Sequence, residues 1–309
     1  MNLAPIVYLA YNRPKHTLIT LEALSNNELA KKSSLYVVCD GPKENATQED
    51  LKNIAAVRAV VRGKNWCKEN NIIERERNLG MADSTVFAIT QIINLFGKVI
   101  VLEDDILISP HLLNFLNDGL NHLESNLEIS SINAYAEDFV RTLPYPDYYL
   151  LTGADCWGWA TWKNRWDDLI YDPSIVMQKL IETNKLQRFE YGGMVSILNK
   201  QIAGKLSTWD MQWCASNVLK DRKALYPKIS FVKNIGFDGT GTNGDNDGKQ
   251  VEISVDSLNK YEQKLEKWIN DGKLYFDLAL ENRFRKKFSS RLTESLNDRI
   301  LRKLKSLFC

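Results

Sequence analysis

Lys98–Pro110 reads KVIVLEDDILISP. Lys98–Leu102 is a short aliphatic, β-branched run, long enough for a strand and too short for a helix. No polar residue interrupts Val99–Leu102, so both faces of that strand need cover, as in the parallel sheets of α/β proteins. The run ends directly in three acids, Glu103-Asp104-Asp105, and a second apolar triplet, Ile106-Leu107-Ile108, follows. The carboxyl ends of strands are where open α/β sheets bind ligands. An apolar strand that delivers carboxylates to that edge therefore sets the fold class.

The same alternation repeats upstream. Pro5–Ala10 (PIVYLA) predicts a strand and Pro14–Leu24 the helix after it. Ser34–Cys39 (SLYVVC) predicts a second strand, closed by the turn Asp40-Gly41-Pro42. Thr47–Val61 has apolar residues at helical spacing, with Thr47 as N-cap and Glu49-Asp50 in the first turn. Asn71–Arg75 is a weaker third strand, and Met81–Phe96 is helical by its period. Together these predict an α/β fold, an open, mostly parallel sheet flanked by helices. Three polar clusters then share the strand ends: Tyr11-Asn12-Arg13, Asp40-Gly41 and Glu103-Asp104-Asp105. Neither GxGxxG after the first strand nor GxxxxGK[ST] occurs, which argues against a dinucleotide-dependent dehydrogenase and a P-loop NTPase.

Composition narrows the class further. The chain has 309 residues, 44% hydrophobic and 26% charged, as in an ordinary globular protein with room for a real core. Forty basic and 39 acidic side chains leave a net charge of +1, so no basic field awaits a nucleic-acid backbone. No apolar run approaches the roughly 18–20 residues that span a bilayer. Ala4–Tyr11 lacks the basic flank and cleavage site of an export signal. Five widely spaced cysteines without a CxxC pair predict free thiols in a reducing compartment. The three histidines have no ligand spacing, so any metal chemistry must use carboxylate oxygens, which suits Mn²⁺ or Mg²⁺.

Two downstream constellations carry chemistry. Seven of the eight tryptophans lie beyond residue 150, and indole faces stack on sugar rings, though core packing also accounts for them. Trp209-Asp210 falls in an expected helix, Ser207–Leu219, where an aspartate beside indoles is desolvated and becomes a better base. Asp210 is equally suited to the first turn of a helix as a dipole-stabilising acid. Three acids at a ligand edge repel one another unless a cation shares the site. A divalent ion held by one carboxylate and by diphosphate oxygens would relieve that repulsion. Gly236–Gly248 (GFDGTGTNGDNDG) reads either as a lid over a bound anion or as a surface loop. The preferred division is one unit over 1–272, with halves 1–110 and 111–272, followed by a basic appendage (273–309). Within the appendage, 288–309 form a basic amphipathic helix suited to an anionic membrane surface or to packing on its own domain.

KVIVLEDDILISP and STWDMQW (Ser207–Trp213), with AYNR (Ala10–Arg13) and CDG (Cys39–Gly41), resemble the type A nucleotide-sugar glycosyltransferases. The nearest likeness is to the N-acetylglucosaminyltransferase I group and its bacterial relatives, over about Ala4 to Gly241. The resemblance implies a Rossmann-like sheet and a metal-dependent, inverting enzyme. That enzyme would move N-acetylglucosamine or another hexose from a nucleotide-diphosphate donor, a UDP-sugar first, to a glycan or lipid-linked acceptor. It implies Asp105 as the metal-binding acid, Asp104 near the ribose and Glu103 near the transferred sugar. Arg13 and Asp40 would sit at the nucleotide, Asp210 would be the catalytic base, and Trp209 would flank the donor sugar. Gly158-Trp159 matches the group's glycine–tryptophan turn near the sugar. Surface-polysaccharide synthesis at the inner face of a bacterial plasma membrane is the implied setting. Two other readings stand beside it. A sugar-phosphate nucleotidyltransferase would need a glycine- and base-rich loop after the first strand, and AYNRPKH has no glycine. A non-catalytic carbohydrate-binding protein would explain the tryptophans and leave the acids at the strand ends without a purpose.

Overall fold

The computed structural model describes residues 3–143, 147–190, 192–239, 265, 269, 274 and 276–287. Its first half is a strand–helix alternation: β1 (Ile6–Ala10), α1 (Pro14–Ser25), β2 (Ser34–Cys39), α2 (Gln48–Arg62), β3 (Glu69–Glu74), α3 (Met81–Phe96) and β4 (Lys98–Glu103). Local chemistry sets the helix ends. Pro14 opens α1, where its missing N–H leaves nothing unbonded. Thr47 and Asp50 form a reciprocal capping box on α2, with Asp50 N donating to Thr47 Oγ1 at 3.1 Å and Thr47 N to Asp50 Oδ2 at 3.0 Å. Gly97 ends α3 at a φ of 77°, a left-handed turn that glycine adopts without a Cβ clash.

The second half adds β5 (Ile106–Ile108), α4 (Leu112–His122), β6 (Ile129–Asn133), α5 (Asp138–Arg141), β7 (Tyr148–Thr152) and β8 (Trp159–Trp162). It continues with α6 (Lys163–Trp166), α7 (Pro173–Glu182), α8 (Leu186–Phe189), α9 (Met194–Ile202), α10 (Asp210–Leu219), β9 (Lys223–Pro227) and β10 (Val232–Asn234). Eight strands make one sheet in the order β3-β2-β1-β4-β8-β6-β9-β7, and β5 pairs with β10 in a separate ribbon. Strands β1, β2, β3, β4, β6 and β9 run one way, and β7 and β8 the other. This is the open, mostly parallel sheet flanked by helices that the sequence predicts. The weak third strand begins at Glu69 rather than Asn71 and pairs with β2 alone, so its outer edge tolerates polar residues. Both expected halves contribute strands to one sheet, joined where β4 pairs with β8.

Strand residues alternate between two cores. Ile6, Tyr8, Ile100 and Leu102 face a core shared with Leu21 and Leu24 of α1, Val57 of α2, and Phe115 and Leu116 of α4. Val7, Val99 and Val101 face the other, built from α3 and four indoles, Trp159, Trp166, Trp209 and Trp213. The helix expected from Ser207 starts at Asp210, because Trp209 is drawn into this core as the N-cap residue.

The appendage expected from residue 273 needs correction over 276–287. Phe276 bridges to Leu150, and Leu280 and Phe284 are buried against Tyr149, Leu151 and Tyr226. The Glu281 carboxylate accepts from Thr152 N at 3.0 Å. These residues are part of the domain. The expected amphipathic segment 288–309 lies outside the described residues, as do residues 240–248 of the glycine-rich stretch. Among the described residues, no helix is long and apolar enough to cross a membrane. Cys39, Cys67, Cys156 and Cys214 are free thiols, as expected.

The indole cluster generates a stability prediction. Trp213 is fully buried, yet its Nε1–H has no hydrogen-bond partner. Trp213→Ala should cost about 3–5 kcal/mol in urea unfolding, through lost burial and the cavity left behind. Trp213→Phe keeps an aromatic ring and removes an unsatisfied donor, so it should cost less than half as much.

Candidate active site

The chain passes from β1 to β2 and β3 on one side, then returns to place β4 on the other side of β1. Adjacent strands β1 and β4 therefore send their following loops apart, which opens a crevice at their carboxyl ends. Arg13 enters it from β1, and Glu103-Asp104-Asp105 enter it from β4. Arg13 Nη2 lies 2.5 Å from Asp104 Oδ1 and 3.1 Å from Asp105 Oδ2. The cation that three neighbouring acids require is thus supplied in part by the protein. Burial alone would lower the Arg13 pKa, but the two carboxylates outweigh it and raise it. Burial pushes Asp104 up to about 6 even against this partner. Glu103 is raised first by burial and then by the negative charges of Asp105, Asp104 and Asp210.

Asp105 is held differently. Its backbone carbonyl accepts from Ile235 N at 2.8 Å, which lays the segment after β10 across the carboxylate. Gly236 sits there so closely that a Cβ would come within 2.3 Å of Asp105 Oδ2 and 3.0 Å of Arg13 Nη1. His16 Nε2 lies 3.2 Å from Ile235 O and 3.2 Å from Asp238 Oδ2, tying the same segment to α1. Asp105 Oδ1 is buried and has no hydrogen-bond partner, an oxygen that a cation would complete. Among the described residues, no three His, Cys, Asp or Glu side chains group as a ready-made metal site. One carboxylate oxygen is what the protein offers, and a bound ligand would have to supply the rest.

Asp210, the first residue of α10, lies within electrostatic reach of Glu103, Asp155 and Cys156. Burial raises its pKa, against the Thr208 hydroxyl and the Met211 and Asp210 amides, which lower it. Two acids missed by sequence reading join it. Asp155, between β7 and β8, accepts from Trp157 N at 2.8 Å, and burial pushes it up to about 7. Glu137 accepts from the Tyr135 hydroxyl at 3.3 Å and adds to the field at Asp155. The signal for Asp155 was its place two residues before Trp157, in a glycine-flanked turn between two apolar runs.

Three expected ligand contacts meet a different geometry. The Asp40 carboxylate is buried and accepts from Leu79 N at 3.1 Å and Gly41 N at 3.0 Å, so it pins the turn ahead of α3. Trp159 and Trp209 are fully buried, with ring centroids 5.5 Å apart, and each also packs on Trp166. Their faces are taken up by other indoles in the core shared with α3, so they offer no open face to a sugar. Trp159 Nε1 has no hydrogen-bond partner.

Asp155 makes stability depend on pH. Its pKa is about 7 in the folded chain and 3.8 by itself, so between those values the folded state holds the extra proton. Stability from this group is full below about 4 and falls as pH rises towards 7. Asp155→Asn removes that loss. Its melting temperature relative to the unsubstituted chain should be higher at pH 8 than at pH 4.5; an equal difference at both would mean Asp155 stays ionised throughout.

No family model matches the sequence, and no curated protein matches it. Among solved structures the chain is similar to S. aureus TarS, at 18% identity over 42% of this chain and 21% of that one, with a TM-score of 0.30. The match thus spans about a fifth of TarS. Against the 1–349 portion of S. aureus TarS it covers 74% of this chain and 59% of that one, at 9% identity and a TM-score of 0.37. It is also similar to the galactosyltransferase LgtC in complex with donor and acceptor sugar analogues, at 14% identity over 72% of each chain, with a TM-score of 0.33. UDP-glucose pyrophosphorylase complexed with UDP-glucose is matched at 9% identity over 73% of this chain and 90% of that one, with a TM-score of 0.36.

Proposed function

We propose that the chain is a divalent-metal-dependent, inverting glycosyltransferase that moves a hexose from a nucleotide-diphosphate donor to a glycan or lipid-linked hydroxyl. One observation carries the reading: the crevice at the β1/β4 switch point joins a guanidinium to a carboxylate with an orphaned oxygen, within electrostatic reach of a separate desolvated carboxylate on α10. A diphosphate needs positive charge, which Arg13 and a cation on Asp105 Oδ1 would give. An acceptor hydroxyl needs a base, which Asp210 gives.

The residues divide the work. Asp210 takes the proton from the acceptor hydroxyl as that oxygen bonds to the anomeric carbon. The bond from that carbon to the diphosphate oxygen breaks on the opposite face, and the leaving oxygen keeps the electron pair, so the configuration inverts. Burial raises the Asp210 pKa, which strengthens the carboxylate as a proton acceptor. Arg13 holds Asp104 and Asp105 in place and adds positive charge beside the diphosphate. Mn²⁺ or Mg²⁺ bound through Asp105 would supply Lewis-acid stabilisation of the leaving group. Asp40 holds the turn ahead of α3. A nucleotidyltransferase is less well served, because the loop after β1, in AYNRPKH, has no glycine with which to cradle a triphosphate.

A panel of nucleotide sugars with Mn²⁺ tests the reading. Slow release of nucleoside diphosphate supports it, and pyrophosphate-dependent turnover supports the nucleotidyltransferase instead. With an active donor in hand, Asp210→Asn should lower turnover about 10²–10⁴-fold and leave donor affinity nearly unchanged. Turnover within threefold of the unsubstituted enzyme would remove Asp210 as the base.

A further inference from the structure

Among the described tryptophans, Trp157 alone is not buried. Its ring meets Tyr135 edge-on at 4.7 Å between centroids and Phe237 edge-on at 5.7 Å. Phe237 is 38% exposed, an aromatic ring left open on the segment that crosses Asp105. Hydrogen-bond acceptors are tied to the same rings: Asp155 to the Trp157 amide at 2.8 Å, and Glu137 to the Tyr135 hydroxyl at 3.3 Å. Asp155 in turn lies within the electrostatic reach of Asp210. A half-buried indole and an exposed phenyl ring beside carboxylates are the surface a pyranose requires. Its axial C–H face packs on an aromatic face, and its hydroxyls donate to carboxylate oxygens. Above about pH 7, where Asp155 is ionised, a carboxylated sugar would meet like charge there.

We propose that Trp157 and Phe237, with Asp155 and Glu137 as hydroxyl acceptors, form a subsite for an uncharged pyranose ring. The ring belongs either to the acceptor or to the glycosyl group of the donor. The inference rests on the glycosyl-transfer reading for its place in a reaction, but the binding it describes is measured separately.

Saturation-transfer NMR on the full chain tests it, with methyl pyranosides of glucose, galactose and N-acetylglucosamine, with glucuronic acid, and with UDP and the corresponding UDP-sugars. At least one neutral glycoside should receive saturation and glucuronic acid none. Phe237→Ala and Trp157→Ala should each weaken that binding tenfold or more, Trp157→Phe should restore part of it, and UDP affinity should stay within twofold. If the ring is the donor's, the variants instead lose the extra affinity of a UDP-sugar over UDP. The proposal is overturned if Phe237→Ala, whose exposed side chain folding does not need, changes neither quantity. It is equally overturned if the unsubstituted chain shows neither glycoside binding nor a UDP-sugar increment, or if glucuronic acid binds as well as the neutral sugars. A chain that binds neutral glycosides but no nucleotide overturns the transferase reading and keeps the subsite.

Discussion

The ion pair from Arg13 to Asp104 and Asp105 is the constraint around which the crevice is organised. Two adjacent parallel strands release their loops in opposite directions, and the guanidinium of one loop bridges two carboxylates of the other at 2.5 and 3.1 Å. Asp104 is almost fully buried, so its charge survives only with a partner in place. The pair therefore fixes the position of Asp105, over which Gly236 and Ile235 then pass. Without a small residue at 236 the segment after β10 could not lie this close. Both halves of the sheet thus meet at one arginine.

Around that pair the protein works against carboxylate ionisation. Glu103, Asp104, Asp155 and Asp210 are all raised, each first by burial. Structural acids elsewhere go the other way: Asp168 and Asp221, paired with lysine and arginine at the surface, are lowered. Groups desolvated together in one crevice are costly to keep, and such clusters concentrate where a ligand or a proton is handled. Trp209, the residue before Asp210, belongs to the buried indole core on the α3 side of the sheet.

The part of this legible in the sequence is the part governed by local pattern. KVIVL, SLYVVC and PIVYLA have the continuous apolar character of strands covered on both faces, and the caps at Pro14, Thr47 and Gly97 stand where local chemistry puts them. The places of Arg13 and of Glu103-Asp104-Asp105 at strand ends were readable because each cluster follows an apolar run. What stayed hidden depends on long-range contact. Nothing near residue 13 announces that its partners stand ninety residues on. Asp155 and Glu137 follow strands whose pairing, β6 with β9 and β7 with β9, no local period encodes. The tryptophans are a similar case: composition cannot tell a buried indole such as Trp209 from a half-buried one such as Trp157. Asp40 likewise reads as an open carboxylate until the turn at Leu79 is seen folded onto it.

The central claim is that Asp105 presents its unpartnered oxygen to a cation shared with a nucleoside diphosphate. Isothermal titration of UDP, with and without Mn²⁺, into the unsubstituted chain and into Asp105→Asn measures this directly. An amide carries no negative charge for the ion. The account predicts that Mn²⁺ tightens UDP binding tenfold or more, about 1.4 kcal/mol, in the unsubstituted chain and has no effect on Asp105→Asn. UDP affinity that is the same with and without Mn²⁺ in the unsubstituted chain, or Mn²⁺ enhancement that persists in Asp105→Asn, would contradict it.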